Sequence, residues 1–115
     1  MNYELVKQLK DAGFKQNWKE GVWFQDGKMK EPWLYTETEY GYPVDPNTTR
    51  AVIIPTLSEL IEACGEKFGA LESVHRENPT RQFWRAITRD RGMVAGQLGD
   101  TPEEAVALLW LALNQ

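Results

Sequence analysis

Residues 99–115 read GDTPEEAVALLWLALNQ, and nine consecutive apolar residues run through this ending. Thr101 suits a helix N-cap, Pro102 suits the first helical position, and Glu104 has the spacing of a capping box. The stretch therefore predicts a helix over about 102–113. A helix that is apolar on every side is either enclosed in its own core or covered by another chain. The sequence leaves both alternatives open.

Two earlier stretches have the 3.6-residue spacing of a helix with one apolar face. The segment NYELVKQLKDAGF begins at a capping residue, Asn2, and ends at Gly13, which predicts a helix over about 3–12. Further along, Thr56 is followed three residues later by a glutamate, which is again the spacing of a capping box. This second pattern predicts a helix over about 57–67.

Turn signals divide the rest of the chain into short strands. Asp26-Gly27 lies between two aromatic runs and is typical of a hairpin. Pro32 lacks a backbone donor, so the second strand of that hairpin is expected at a sheet edge or a bulge. The apolar run Val52–Ile54 predicts a buried strand. Turn spacing after the second helix favours three more strands, with a helix over the middle one as the alternative. Their predicted bounds are about 70–76, 81–89 and 93–97.

Together these segments predict an α+β fold, in which three helices pack on an antiparallel or mixed sheet of short strands. The length of 115 residues is near the commonest domain size, so we expect a single domain over 1–115. A hydrophobic content of 42% is enough to build a core.

The composition offers little for metal or covalent chemistry. One cysteine, Cys64, and one histidine, His75, cannot form a structural zinc site. Cys64 lies in an apolar helical pattern and is predicted to be a core residue. Ser73 and His75 share one side of a predicted strand, but no motif supplies the orienting carboxylate and oxyanion hole of a nucleophile. We therefore predict no catalytic residue, no metal and no cofactor, and a protein that is not an enzyme.

Charge and hydropathy restrict the partners. A net charge of −4 argues against general affinity for nucleic acid or anionic membranes. No apolar run approaches the roughly 20 residues of a membrane span. The N-terminal segment MNYELVKQLKDAGF lacks the pattern of a signal peptide. These features predict a cytoplasmic protein without a membrane partner.

One segment is basic, in contrast to the rest of the chain. Residues 75–91 read HRENPTRQFWRAITRDR and hold five arginines against one glutamate and one aspartate, a local net charge of +3. On a strand, Arg81, Arg85 and Arg89 would line one side, and Trp84 could stack on a base. Weak binding of RNA or single-stranded nucleic acid is therefore the alternative function. A solvated face, or one that binds an acidic protein, explains the same charges.

Aromatic residues are dense in the predicted hairpin, and the chain has five tryptophans in all. Exposed aromatic residues mark protein interfaces more often than scattered aliphatic ones do. The sequence therefore predicts protein binding, as a homodimer or to a host protein, while burial of these residues in the core is the alternative. The predicted interface residues are Trp23, Trp33, Tyr35, Tyr40, Tyr42, Trp110 and Leu111.

Three blocks of the chain also resemble a family of small proteins encoded by tailed phages and prophages. They read MNYELVKQLKDAGF, IPTLSELIEACGEKFGAL and GDTPEEAVALLWLALN, in the order of that family. The resemblance implies a setting, the cytoplasm of an infected or lysogenic bacterium, and an accessory protein that binds host proteins. It implies no activity, cofactor or catalytic residue.

Overall fold

The computed structural model describes residues 1–16, 21–26, 31–34, 52–75, 82–90 and 93–114. Contacts group the chain into two compact units, residues 1–55 and 56–115, and each unit is described by itself. The described part has an α+β fold with three α-helices and two three-stranded antiparallel sheets. A single domain over 1–115 stays a prediction. In chain order the elements are α1 (Tyr3–Asp11), β1 (Trp23–Gln25), β2 (Trp33–Leu34), β3 (Val52–Ile54), α2 (Leu57–Cys64), β4 (Phe68–His75), β5 (Gln82–Thr88), β6 (Gln97–Gly99) and α3 (Pro102–Leu113).

Helix α1 begins and ends where the sequence predicts. The Asn2 Oδ1 accepts a hydrogen bond from the Leu5 N–H at 2.8 Å, which satisfies a free donor of the first turn. Gly13 has a φ of 97°, a conformation that glycine adopts without steric cost. The Phe14 N–H then donates to the Leu9 carbonyl at 2.9 Å and closes the helix terminus.

The first sheet has the strand order β2-β1-β3. The antiparallel β1–β2 pairing confirms the predicted hairpin, and β2 lies at the edge of the described sheet, as Pro32 indicates. Phe24 pairs with Trp33, so residues 25–32 separate these partners and the connection is longer than a two-residue Asp26-Gly27 turn. Gly27 itself lies outside the described residues.

Helix α1 packs against β3 and buries Leu5, Val6 and Leu9. In the sheet, Phe24 and Ile53 are direct partners, and both are buried. The Gln16 side chain accepts a hydrogen bond from the Ile53 N–H at 2.8 Å. This bond satisfies a backbone donor of β3 that would otherwise lie unpaired at the strand edge.

Helix α2 begins with the predicted capping box. The Thr56 Oγ1 accepts from the Glu59 N–H at 3.2 Å, and the Glu59 carboxylate accepts from the Thr56 N–H at 3.0 Å. Gly65 ends the α-helix with a φ of 62°, and one 3₁₀ turn, Gly65–Lys67, completes the span predicted as helix. Leu60 and Cys64 are its buried residues.

The second sheet has the strand order β4-β5-β6. Strand β5 confirms the strand interpretation of this segment against the helical one. The third strand was predicted at 93–97, but it lies at Gln97–Gly99. The reason is a turn in which the Met93 N–H donates to the Asp90 carbonyl at 3.0 Å, after which pairing with β5 starts only at Gln97.

At the start of α3, one of the two hydrogen bonds of the predicted capping box forms as expected, and the other has a different donor. The Thr101 Oγ1 accepts from the Glu104 N–H at 3.2 Å, as expected. The Glu104 carboxylate, however, accepts from the Asp100 N–H, one residue before the N-cap. Both bonds still satisfy backbone donors at the positive end of the helix dipole.

Helix α3 packs on β5, β6 and α2. Its close approach to the sheet depends on Gly99, where an added Cβ would lie 2.5 Å from the Ala105 amide nitrogen. Six of its nine consecutive apolar residues are buried, and Trp110 and Leu111 are 7% and 8% exposed. Burial inside the chain is therefore the favoured explanation for a helix that is apolar on every side.

Candidate protein-binding surface

A row of three apolar residues crosses the first sheet. In the antiparallel register, Trp23 of β1 pairs with Leu34 of β2 on one side and with Ile54 of β3 on the other. Directly paired residues project from the same face of a sheet, with their Cβ atoms about 5 Å apart. Leu34, Trp23 and Ile54 therefore form one continuous strip, which we call the Trp23 row.

Two residues of the Trp23 row are exposed, and the third, Ile54, is half-buried. Trp23 is 52% exposed and Leu34 is 46% exposed, whereas Phe24, the next residue on β1, is 3% exposed. Side chains alternate between the two faces of a strand, so Phe24 faces the opposite side. Val52 projects to the same side as Ile54 but is 1% exposed. Among the described residues, the open apolar area of this face therefore lies at one end.

The exposure of Trp23 has an energetic consequence. A tryptophan side chain can bury roughly 200 Å² of surface, so half exposure leaves roughly 100 Å² in water. At about 25 cal/mol per Å² of apolar area, a partner that covered it would gain about 2.5 kcal/mol.

Some predicted interface residues lie elsewhere. Trp33 pairs with the buried Phe24 and so occupies a different register position from the Trp23 row; its side chain lies outside what the structure describes. Trp110 and Leu111 are buried by other residues of the same chain. Their low exposure therefore does not support their assignment to an interface. The remaining predicted interface residues lie outside the described residues: Tyr35, Tyr40 and Tyr42.

Leu34 and Ile54 were not among the predicted interface residues. Periodicity places Leu34 opposite Trp33 on its own strand, but it does not say which residue of β1 lies beside it. Ile54 belongs to an apolar run that reads as a wholly buried strand. Only the register of the three strands brings both residues beside Trp23.

The basic segment is described only at residue 75 and residues 82–90, and the nucleic-acid face proposed for it stays a prediction. Arg85 pairs in register with Glu72, and its Nε lies 3.8 Å from the Glu72 Oε2. Trp84 pairs with Ser73 instead, so it projects from the opposite face of β5 and cannot stack on a base that Arg85 holds. The aromatic residue on the Arg85 side is Phe83, which is half-buried. Trp84 and Arg85 therefore lie on opposite faces of β5, and a nucleic-acid site that uses both of them stays a prediction.

Of the other two arginines in that proposal, Arg89 is described and Arg81 is not. Arg89 follows β5 directly and is exposed, and its N–H donates to the Lys67 carbonyl at 2.9 Å. Arg81 lies outside the described residues.

Beside Arg85, on the same side of the sheet, there is a cavity of about 220 Å³. Its lining consists of Glu72, Arg85, Ile87, Thr88, Val94 and Gly96.

Ser73 and Cys64, two of the residues considered for covalent chemistry, have neighbours that the fold accounts for. The Ser73 Oγ accepts a hydrogen bond from the side-chain amide of Gln82 at 2.5 Å. The side chain of His75 is not among those that the structure describes. Cys64 is buried as predicted, and burial raises the pKa of its thiol to about 11, so the thiol is protonated at neutral pH. In the part of the chain that the structure describes, no group of three acidic, histidine or cysteine side chains could hold a metal.

Comparison with known proteins adds no relationship. No protein-family model matches the chain, and no curated protein or solved structure shows significant similarity to it. The resemblance to phage and prophage proteins stays a prediction. Among the described helices, none has the length and apolar character needed to cross a bilayer.

Proposed function

We propose that this protein is a non-catalytic binding module, that its partner is a protein, and that the Trp23 row is the centre of the contact surface. The observation that carries the proposal is the 52% exposure of Trp23. On the other face of the sheet, the next residue of the same strand, Phe24, is buried. Tryptophan is among the residues that contribute most to protein interfaces when a partner covers it.

The geometry of the Trp23 row suits a protein partner. The row lies on three hydrogen-bonded strands, so its backbone is already ordered before binding. A preordered surface loses less conformational entropy on association than a mobile loop does. The row is apolar, which complements the apolar centre of a protein interface rather than a phosphate backbone.

The nucleic-acid alternative has less support. The net charge is −4, and the described arginine in the middle of the basic segment has a carboxylate beside it. Nucleic-acid affinity depends largely on cations that replace the counterions of phosphates. We therefore retain the protein-binding proposal, with a second copy of the chain or a bacterial host protein as the partner.

Matched serine substitutions test the proposal. Trp23→Ser removes the centre of the row, and Leu98→Ser alters a residue that is 46% exposed on the other sheet. Light scattering over a range of concentrations measures self-association, and quantitative capture from bacterial extract measures binding to other proteins. We expect a dimer, or a captured protein, that Trp23→Ser loses and Leu98→Ser keeps. Identical behaviour of the two variants would contradict the proposal.

A further inference from the structure

The cavity beside Arg85 is lined by residues of the second compact unit, whereas the Trp23 row belongs to the first. Glu72 on β4 and Arg85 on β5 are direct partners, so both project from one face of the second sheet. Ile87, two residues further along β5, shares that face and continues it as an apolar patch. Val94 and Gly96 supply the other side of the cavity. The cavity therefore has one charged end and one aliphatic end.

Gly96 holds this wall close to the sheet. A Cβ at this position would lie 3.1 Å from Ile87 Cγ2 and 3.2 Å from Arg85 Cδ. Both distances are tighter than ordinary van der Waals contact, so the segment before β6 already touches the stem of the arginine. This proximity restricts the rotamers open to the aliphatic stem of Arg85, next to its register partner Glu72.

The Arg85 guanidinium and the Glu72 carboxylate are close to each other, but the Arg85 Nε is too far from the Glu72 Oε2 for a hydrogen bond. The Arg85 Nε to Glu72 Oε2 distance is 3.8 Å, beyond the 2.7–3.2 Å of an N–H···O hydrogen bond. Their side chains are 45% and 48% exposed. A cation and an anion are thus accessible side by side, at the mouth of a cavity with an aliphatic lining.

We propose that this cavity binds a free aliphatic α-amino acid. The guanidinium of Arg85 accommodates the ligand carboxylate as a two-pronged donor, and the carboxylate of Glu72 accepts from the ligand ammonium. Ile87 and Val94 contact the ligand side chain. The cavity volume of about 220 Å³ is far above the roughly 10–15 Å³ that one water needs, so the cavity has room for a small organic molecule such as valine or leucine.

The opposite charges of the site select for a zwitterion. A ligand with a carboxylate alone would bring a second anion close to Glu72, and an amine alone would bring a second cation close to Arg85. Either change removes one favourable contact and adds a repulsive one. The site is open and half exposed, so we expect weak binding, with a Kd of about 1 mM.

Titration followed by amide NMR spectra tests the proposal on the intact chain. L-Leucine is the probe, and 4-methylpentanoate and 3-methylbutylamine are the matched compounds that lack the ammonium and the carboxylate. We expect leucine to shift the amide signals of Ile87, Val94 and Gly96, and the two matched compounds to bind at least about tenfold more weakly.

Two substitutions and one control complete the test. Arg85→Gln and Glu72→Gln should each weaken leucine binding by about tenfold or more. Lys7→Gln breaks another ion pair of the same 3.8 Å length, to Asp11 on α1, and should leave binding unchanged. The proposal is overturned if leucine shifts no signal near the cavity, if 4-methylpentanoate binds as well as leucine, or if both cavity variants bind leucine normally.

Discussion

Replacement of Leu111 by alanine tests whether the apolar C-terminal helix belongs to the core of its own chain. Leu111 is 8% exposed, so nearly its whole side chain is removed from water. Leucine-to-alanine changes at such positions lower the free energy of unfolding by about 2–5 kcal/mol, because transfer energy is lost and a cavity remains. Leu98 is 46% exposed and provides the matched control. Its replacement by alanine should lower the free energy by about 1 kcal/mol or less.

Urea unfolding, followed by far-ultraviolet circular dichroism at two protein concentrations, measures both changes. Burial within the chain predicts a loss for Leu111→Ala that is several times larger than for Leu98→Ala and independent of concentration. Burial at an interface between chains would instead make the stability of the unmodified protein rise with concentration. Equal losses for the two variants, or a loss at Leu111 that depends on concentration, would refute the assignment.

Three further outcomes can be measured on the same apparatus. Gly99→Ala places a Cβ 2.5 Å from the Ala105 amide nitrogen and should lower the free energy of unfolding by about 1–3 kcal/mol; an unchanged midpoint would show that α3 does not approach the sheet so closely. Thr56→Ala should lower it by about 1 kcal/mol through loss of the cap, whereas Ser58→Ala, an exposed change in the same helix, should have a smaller effect. The Cys64 pKa is about 11 in the folded state against 9.0 for an exposed thiol, so its contribution to stability is complete below pH 9 and falls as pH rises towards 11. The free-energy difference from Cys64→Ala should therefore shrink over that interval, by an amount on the order of 2–3 kcal/mol, and a constant difference would contradict the assigned burial.

The helices could be predicted because their ends are marked by local signals. A cap such as Asn2, or Thr56 with Glu59, acts through residues three positions apart, and a stop such as Gly13 acts through the turn that precedes it. These contacts form within one segment, so the sequence contains all of their partners. The same locality explains why β5 was assigned to a strand by its turns and its β-branched and aromatic residues.

The features that the sequence did not predict depend on pairing between distant segments. The strand β6 starts at Gln97 because that is where the chain meets β5, and no local signal marks the position. The Glu104 carboxylate reaches the Asp100 N–H instead of the N-cap N–H, although the spacing alone predicts a complete capping box. Local patterns specify the candidate residues, and the fold decides which of them meet.

The Trp23 row shows the same division for the candidate site. Composition and hairpin signals predict that aromatic residues of this region bind a protein, and Trp23 is among them. The apolar residues that flank Trp23 are set by the register in which β1 pairs with β2 and with β3. The sequence therefore predicted the residue at the centre of the row and missed both of its neighbours.

Site-specific photo-crosslinking in bacterial cells tests the protein-binding proposal most directly. A photoreactive phenylalanine analogue replaces Trp23 in one variant and Leu98, the exposed control on the second sheet, in another. The proposal predicts a discrete crosslinked protein, or a crosslinked second copy of the chain, from position 23 and none of that mass from position 98. No discrete product from position 23, or the same product from both positions, would contradict the assignment of the Trp23 row as the binding surface.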